Sequence, residues 1–145
     1  MLDEIRAVIA RNLRDYEVRS VAGLGEGLDN VVYEVNGELV VRRSKEADPV
    51  LRGELVRREA GVLAAAADLV SLAVPDVVFV DPDAGVLAYR KLQGVPLLDH
   101  PVAHPERLAP ALGRFVGALH AAPLARMEAL VPYDVEPMAA WLEEA

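Results

Sequence analysis

The 145-residue chain contains no cysteine, few lysines and no excess of positive charge. Without cysteine it forms neither disulfide bonds nor thiolate metal sites, which agrees with a cytoplasmic location. A net charge of −8 argues against a nucleic-acid partner, because counterion release on binding requires a basic surface. Lys45 and Lys91 are the only lysines among 15 basic residues, which we attribute to coding bias and not to function.

Long apolar runs are also missing. Charged side chains interrupt the first 14 residues, so no secretory signal is expected. The longest apolar stretch, around residues 61–67, is too short to span a bilayer. We therefore expect a soluble protein with no membrane partner. Its length fits one domain or one lobe of a larger catalytic unit.

Residues 18–44 predict three antiparallel strands. Residues 18–24 alternate weakly and lead into a segment with glycine at positions 23, 25 and 27. Residues 31–35 and 39–42 are rich in the β-branched and aromatic residues that favour strands. The Asn36-Gly37 pair between them predicts a type I′ turn, which requires positive φ at both residues.

The remaining segments predict helices and two further strands. Helical periodicity over residues 3–13, with Asp3 as the cap, predicts a first helix. Asp48 followed by Pro49 predicts the start of a second helix that runs to about residue 67. Its expected core-facing stripe consists of Leu51, Leu55, Val62, Leu63 and Ala66, with Glu59 at the edge. Residues 77–80 and 86–91 predict strands four and five.

After these strands the chain is expected to leave the sheet. Residues 105–120 predict a helix, and a last one is expected from Glu136. The fold class is therefore α+β: a five-stranded antiparallel sheet with one helix between strands three and four. A short helix precedes the sheet and two helices follow it.

The alternate glycines suggest an anion site, because backbone amides without a Cβ nearby can approach a phosphate closely. The alternative is a glycine-rich turn that binds no ligand. The dinucleotide-binding fingerprint does not apply, since a strand follows where that fold requires a helix.

Arg42 and Glu59 form a second candidate pair. A cation beside bound phosphates needs a carboxylate to fix its position, and a strand and the following helix can supply both. The alternative is two unrelated solvated side chains. No metal site is assigned, because prolines at 101 and 105 disfavour a helix that would align His100 with His104.

These features occur together in an order that resembles the amino-terminal lobe of the aminoglycoside phosphotransferase family, which has a protein-kinase-like fold. The resemblance covers essentially the whole chain. It is carried by residues 25–35, 39–42, 59, 74–77, 89–97 and 119–120, which read GEGLDNVVYEV, LVVR, E, VPDV, YRKLQGVPL and LH.

The resemblance implies a nucleotide site for ATP or GTP and a role in antibiotic resistance. Gly25, Gly27 and Asn30 would belong to the loop that covers the nucleotide. Arg42 would contact phosphates where the family usually has lysine, and Glu59 would pair with it. The hinge whose backbone holds the purine would include Arg90, Lys91 and Leu92. Arginine in place of lysine leaves open whether Arg42 binds phosphate or only pairs with Glu59.

Residues 1–94 would then be the nucleotide-binding lobe, and residues 95–145 a linker and helices that lead to a second lobe. That lobe would supply the catalytic carboxylate, the magnesium ligands and the site for the small-molecule acceptor. No residue of this chain is assigned a catalytic role, and we expect no phosphoryl transfer by the chain alone.

Two other functions remain open from the sequence. One is a non-catalytic interaction module that kept the shape of the lobe and lost nucleotide binding. The other is a kinase for a different small alcohol or amine, such as a sugar, homoserine or choline-like substrate. The apolar faces of residues 105–120 and of Met138, Trp141 and Leu142 are expected either to fold back on the sheet or to meet a partner surface, self-association included.

Overall fold

A computed structural model of the chain describes residues 2–131. The strands are β1 (Val21–Glu26), β2 (Asn30–Val35), β3 (Leu39–Ser44), β4 (Val77–Asp81) and β5 (Val86–Arg90). The helices are α1 (Leu2–Asn12), α2 (Pro49–Ala67), α3 (Ala109–His120) and α4 (Leu124–Glu128), with a 3₁₀ turn at Pro105–Arg107. The strands form a five-stranded antiparallel sheet in the order β1-β2-β3-β5-β4. With α2 between β3 and β4, this confirms the predicted fold class.

The turn between β2 and β3 is the predicted one. Asn36 has a φ of 54° and Gly37 a φ of 76°, as a type I′ turn requires. The Asn36 side chain also accepts hydrogen bonds from the amides of Arg19 (2.8 Å) and Ser20 (3.0 Å). Its amide group donates to the carbonyl oxygen of Glu17 at 2.8 Å. One asparagine therefore closes the hairpin and positions the chain that enters β1.

The core lies between α1 and one face of the sheet. Opposed residues on antiparallel strands point to the same face, so the register divides the sheet into two sides. The side that α1 covers, called the outer face here, consists of Tyr33, Val35, Leu39, Val41, Val86 and Ala88. From α1, the buried residues Ile5, Val8 and Ile9 pack on it. Each fully buried aliphatic side chain contributes about 1.5–3 kcal/mol, so this layer accounts for much of the folding free energy.

Helix α1 is also held by a buried carboxylate. Asp81, 6% exposed at the end of β4, accepts hydrogen bonds from Arg11 Nε (2.5 Å) and Asn12 Nδ2 (2.8 Å). The Ala84 amide donates to its other oxygen at 3.1 Å. Burial alone would raise the pKa of Asp81, but these hydrogen bonds outweigh it, so the pKa lies below its ordinary value. Asp3 lies inside the first turn and not at the cap, because α1 starts one residue earlier than predicted.

Helix α2 has the predicted bounds and the predicted start. The Asp48 carboxylate accepts hydrogen bonds from the amides of Val50 (2.8 Å) and Leu51 (3.1 Å), and Pro49 follows it directly. An acceptor at the cap satisfies amides that the first turn leaves unpaired. This local sequence is therefore sufficient to place the helix start.

The predicted core-facing stripe of α2 was wrong. Leu51 and Leu55 are 42% and 37% exposed, and the buried positions are Gly53, Val56 and Ala65. Gly53 explains the difference, because a Cβ there would lie 3.2 Å from the carbonyl oxygen of Pro82. The helix therefore approaches the β4–β5 turn through its small residues, and its larger apolar side chains face elsewhere.

The chain after β5 returns to α2. Helix α4, which the sequence did not predict, is joined to the end of α2 by an ion pair between Arg126 and Asp68 at 2.6 Å. Leu130 lies against Gly61, where a Cβ would be 2.8 Å from its methyl group. Helix α3 has no buried residue within the described part of the chain. The helix predicted from Glu136, with Met138, Trp141 and Leu142, lies outside the described residues.

Strand ends differ from the predictions by one to three residues, the largest difference being the start of β1 at Val21 in place of residue 18. Strand β3 extends to Ser44, so Arg42 lies within the strand and not at its end. Strands β4 and β5 each differ by one residue at the carboxyl end. Among residues 2–131, no helix is both long enough and apolar enough to cross a membrane.

Replacing Asp81 by asparagine is expected to lower the free energy of unfolding by about 1–3 kcal/mol at neutral pH, because three hydrogen bonds to a charged acceptor are weakened. Since the folded-state pKa of Asp81 is depressed, its contribution is present above the unfolded-state pKa and disappears as pH falls through the folded-state pKa. Urea unfolding at pH 7 and in acid measures both effects. The exposed neighbour Asp83→Asn is the matched control, and equal losses in the two variants would contradict the assignment.

Candidate functional site

The second side of the sheet carries the candidate site. This inner face consists of Val32, Glu34, Val40, Arg42, Leu87 and Tyr89, by the same register. Arg42 forms an ion pair with Glu59 of α2, and the two side chains are 31% and 29% exposed. The structure therefore brings the two predicted residues together and joins the sheet to the helix. Their part in ligand binding stays a prediction.

Tyr89 also lies on the inner face, although no role was predicted for it. It lies opposite Val40, two residues before Arg42 on β3. Burial raises the pKa of its phenol, while the charge of Arg42 lowers it and that of Glu59 raises it further. The signal in the sequence was the alternation along β5, which places position 89 on the inner face.

The loop at the glycine segment contains fewer residues than predicted, because part of the segment lies within a strand. Gly23 and Gly25 lie within β1, which pairs with β2 as far as Glu26 across an irregularity between these two glycines. None of the three alternate glycines has positive φ. Their contribution is space: Gly25 lies opposite Val32 of the inner face, and a Cβ there would meet no atom within 4 Å. The loop proper is reduced to residues 27–29.

Lys45, for which no role was predicted, holds this short loop in place. Its ammonium group donates to the carbonyl oxygen of Gly27 at 2.8 Å and forms an ion pair with Glu26. Its amide donates to the carbonyl oxygen of Asp29 at 2.8 Å. The amides of Leu28 and Asp29 donate to no other residue of the described chain, so the loop presents two unused donors.

A cleft of about 730 Å³ lies between this loop and α2. That volume is typical of sites for small molecules and cofactors. The lining residues from the loop, the strand ends and the segment after β3 are Leu28, Asp29, Asn30, Arg42, Ser44, Lys45 and Glu46. Those from α2 and beyond are Leu55, Val56, Arg58, Glu59, Val62, Leu63 and Val131. Part of the stripe predicted to face the core therefore lines a cleft.

The predicted hinge residues are not among the lining residues of this cleft. The amide of Arg90 donates to the carbonyl oxygen of Asp76 (2.9 Å), and that of Lys91 to the carbonyl oxygen of Glu38 (2.8 Å). The Lys91 side chain pairs with Glu34 on the inner face. Within the described chain, Leu92 is the one of the three whose amide has no partner.

The predicted site residues thus fall into three groups. Asn30, Arg42 and Glu59 share the cleft. Gly25 and Gly27 belong to the strand and loop beside it, and the hinge residues 90–92 lie at the carboxyl end of β5. Over residues 2–131, no cluster of three or more histidine, aspartate or glutamate side chains is arranged to hold a metal ion.

A family model described as the phosphotransferase enzyme family matches residues 20–145. The chain belongs to this family. The match includes all five strands, α2 and the cleft, so the candidate site lies wholly within the matched region. No curated protein matches the chain.

Solved structures of phosphotransferases share the fold. A GDP and kanamycin complex of an aminoglycoside phosphotransferase is 29% identical, with a TM-score of 0.75 over 90% of this chain and 46% of that one. A streptomycin and ATP complex of another is 17% identical, with a TM-score of 0.72 over 99% and 48%. A macrolide 2′-phosphotransferase from Brachybacterium faecium is 23% identical, with a TM-score of 0.71 over 98% and 51%. This chain thus spans about half the length of these structures, and it has the kinase-like amino-terminal lobe fold predicted from its sequence.

The Arg42–Glu59 ion pair is expected to couple β3 to α2 energetically. A double-mutant cycle with Arg42→Ala and Glu59→Ala should give a coupling energy of about 1 kcal/mol, since both side chains are two-thirds shielded from solvent. Urea unfolding of the four proteins measures it.

The control cycle uses Arg90 and Asp76, which lie 3.7 Å apart with 71% and 77% of their side chains exposed. Water screens such a pair, so a coupling energy below about 0.5 kcal/mol is expected there. Equal coupling energies in the two cycles would show that the Arg42–Glu59 pair does not join the sheet to the helix.

Proposed function

We propose that the chain is the nucleotide-binding lobe of a small-molecule kinase of the aminoglycoside phosphotransferase type. In the complete enzyme the γ-phosphate of a nucleotide would pass to a substrate hydroxyl. The observation that carries this proposal is the Arg42–Glu59 pair in a cleft of about 730 Å³ beside a short glycine loop. Membership of a phosphotransferase family supports it.

The phosphates would lie between the loop and Arg42. Gly25 and Gly27 leave room for them, Asn30 lines the cleft, and the amides of residues 28 and 29 are unused donors. A guanidinium has five N–H donors. Arg42 can therefore keep its bond to Glu59 through Nη1 and still donate to a phosphate oxygen, which is how arginine could serve where the family usually has lysine.

The base would lie on the inner face at the end of β5. Hinge recognition uses main-chain groups, and the amide of Leu92 is the unused donor there. Arg90 and Lys91 would act by shaping this end of the strand. Structural neighbours bound to GDP and to ATP support a purine nucleotide, ATP or GTP, as the ligand.

A magnesium ion would accompany the nucleotide, and such an ion usually takes one or two protein carboxylates beside the phosphate oxygens. Its ligands would belong to a second lobe, as would the carboxylate that orients the acceptor hydroxyl. Residues 1–94 would form the nucleotide lobe, and residues 95–145 would lead into the second. The alignment covers 46% of that neighbour's chain, so the neighbour has room for a further lobe outside the aligned part.

The acceptor would be a small molecule bound mainly by the second lobe. Kanamycin and streptomycin in the neighbouring structures favour an aminoglycoside and a role in antibiotic resistance. The exposed side of α3, with Leu112 and Val116 about half exposed, would pack against that lobe or against a second copy of the chain.

One observation favours a second candidate, a non-catalytic module. Arg42 is paired with Glu59 and Lys45 with Glu26, so two of the cleft's cations already have carboxylate partners. A lobe that had lost nucleotide binding would show the same pairing. Nucleotide binding distinguishes the two candidates.

The chain is expected to bind Mg-ATP or Mg-GTP at millimolar concentration or below, with backbone amide shifts at Gly25 and Leu92. Arg42→Ala should weaken binding about tenfold, because a charge-assisted contact to phosphate is lost. Arg43→Ala is the matched control, since the next residue on β3 points to the opposite face. Absence of any localised response would favour the module, and equal weakening by both variants would remove Arg42 from the site.

The pure chain alone is expected to transfer no phosphate to an aminoglycoside at a rate above background. The physical reason is that positioning the acceptor and the metal needs groups assigned to the second lobe. Release of ADP or GDP in the presence of kanamycin measures this. Substantial turnover by the chain that disappears in Arg42→Ala would contradict the division into two lobes.

A further inference from the structure

Arg58 occupies a position in the cleft to which neither the sequence motifs nor the proposed function assigns a role. It lies on α2 directly before Glu59 and lines the cleft. Its side chain is partly buried. Leu55, one turn earlier on the helix, and Val62, one turn later, line the same cleft. Arg58 therefore shares a wall of the cleft with two apolar residues, where an ionic contact is weakened less by water than on an open surface.

No residue from 2 to 131 forms a hydrogen bond or ion pair with Arg58. Glu54 stands four residues earlier on α2, which is the favourable spacing for a helical ion pair. The two nevertheless do not pair. Arg42 and Lys45, the other cations that line the cleft, both have carboxylate partners. Of the three cations that line the cleft, Arg58 is thus the one with no carboxylate partner among residues 2–131.

The opposite wall of the cleft presents donors of its own. The amides of Leu28 and Asp29 are unused, and both residues line the cleft. Asp29 and Glu46 also line it, and their negative charges would repel an anion that met no cation. A phosphate group here would therefore need a positive charge beyond those of Arg42 and Lys45.

We propose that Arg58 binds the terminal phosphate of a nucleoside triphosphate in this cleft. The inference rests on the proposed nucleotide site and adds a residue to it. The guanidinium supplies paired N–H donors whose spacing matches two phosphate oxygens, and the loop amides approach the same group from the other side. Arg58 would thus distinguish a triphosphate from a shorter nucleotide.

The test compares affinities of the 145-residue chain for Mg-ATP, ADP and adenosine, and for the matching guanine series, by isothermal titration calorimetry. Arg58→Ala is expected to weaken triphosphate binding about five- to tenfold and to leave nucleoside binding unchanged. Arg58→Lys, which keeps the charge, should restore part of the loss. Arg57→Ala is the matched control, because it removes the same charge from the adjacent, exposed position of α2.

Each outcome is informative. Equal triphosphate affinities for the Arg57 and Arg58 variants would overturn the role of Arg58 while leaving the nucleotide site intact. Equal loss of triphosphate and nucleoside binding in Arg58→Ala, with no recovery in Arg58→Lys, would also overturn it, since that pattern reports disturbed packing of α2. If the unsubstituted chain binds no adenine or guanine nucleotide, the proposed nucleotide site is wrong, and so is the role proposed for Arg58.

Discussion

Alternation of side chains along β3 is the constraint on which the rest of the structure depends. Val41 points to the outer face and is fully buried beneath α1. Arg42, the next residue, points to the inner face and reaches Glu59 of α2. A shift of one residue in register would bury the guanidinium and expose the valine, so the packing of α1 fixes the position of the charge. The hydrophobic core and the candidate site therefore lie on opposite faces of the same strand.

The two sides of the site are held by different numbers of contacts. Strand β3 is held between β2 and β5, and β5 is covered in turn by β4. The loop of residues 27–29 has fewer constraints: it is held mainly by Lys45 and by a 2.9 Å bond from the Gly27 amide to the Asn30 carbonyl. A loop with unused amides above a fixed cation suits a ligand whose phosphates must be enclosed after it enters.

Most of the fold was predictable from the sequence because its turns, helix starts and strands depend on interactions between residues close together in the chain. The Asn36-Gly37 turn and the Asp48-Pro49 helix start depend on neighbouring residues and were found where expected. The five strands were also found, with ends shifted by one to three residues. The buried side of α2 was not predictable in this way. It is decided by the close approach of Gly53 to Pro82, a contact between residues far apart in the chain. Helix α4 was missed because five residues are too few to show a period.

The site was predictable only where a motif or a resemblance pointed to it. Arg42 and Glu59 were paired on order and spacing, and the structure brings them into contact. Tyr89, Lys45 and Arg58 were missed, because each acquires its place through strand register, loop closure or helix rotation. The three alternate glycines were expected to let backbone amides approach an anion; a Cβ at each would meet no atom within 4 Å, and none has positive φ.

The central claim is that the inner face beside Arg42 binds a nucleotide. A crystal structure of the chain with a non-hydrolysable triphosphate analogue tests it most directly. We expect the base within hydrogen-bonding distance of the Leu92 amide and the phosphates between Arg42 and the loop of residues 27–29. An analogue bound on the outer face, or a cleft in which Arg42 contacts only Glu59 at saturating analogue, would contradict it.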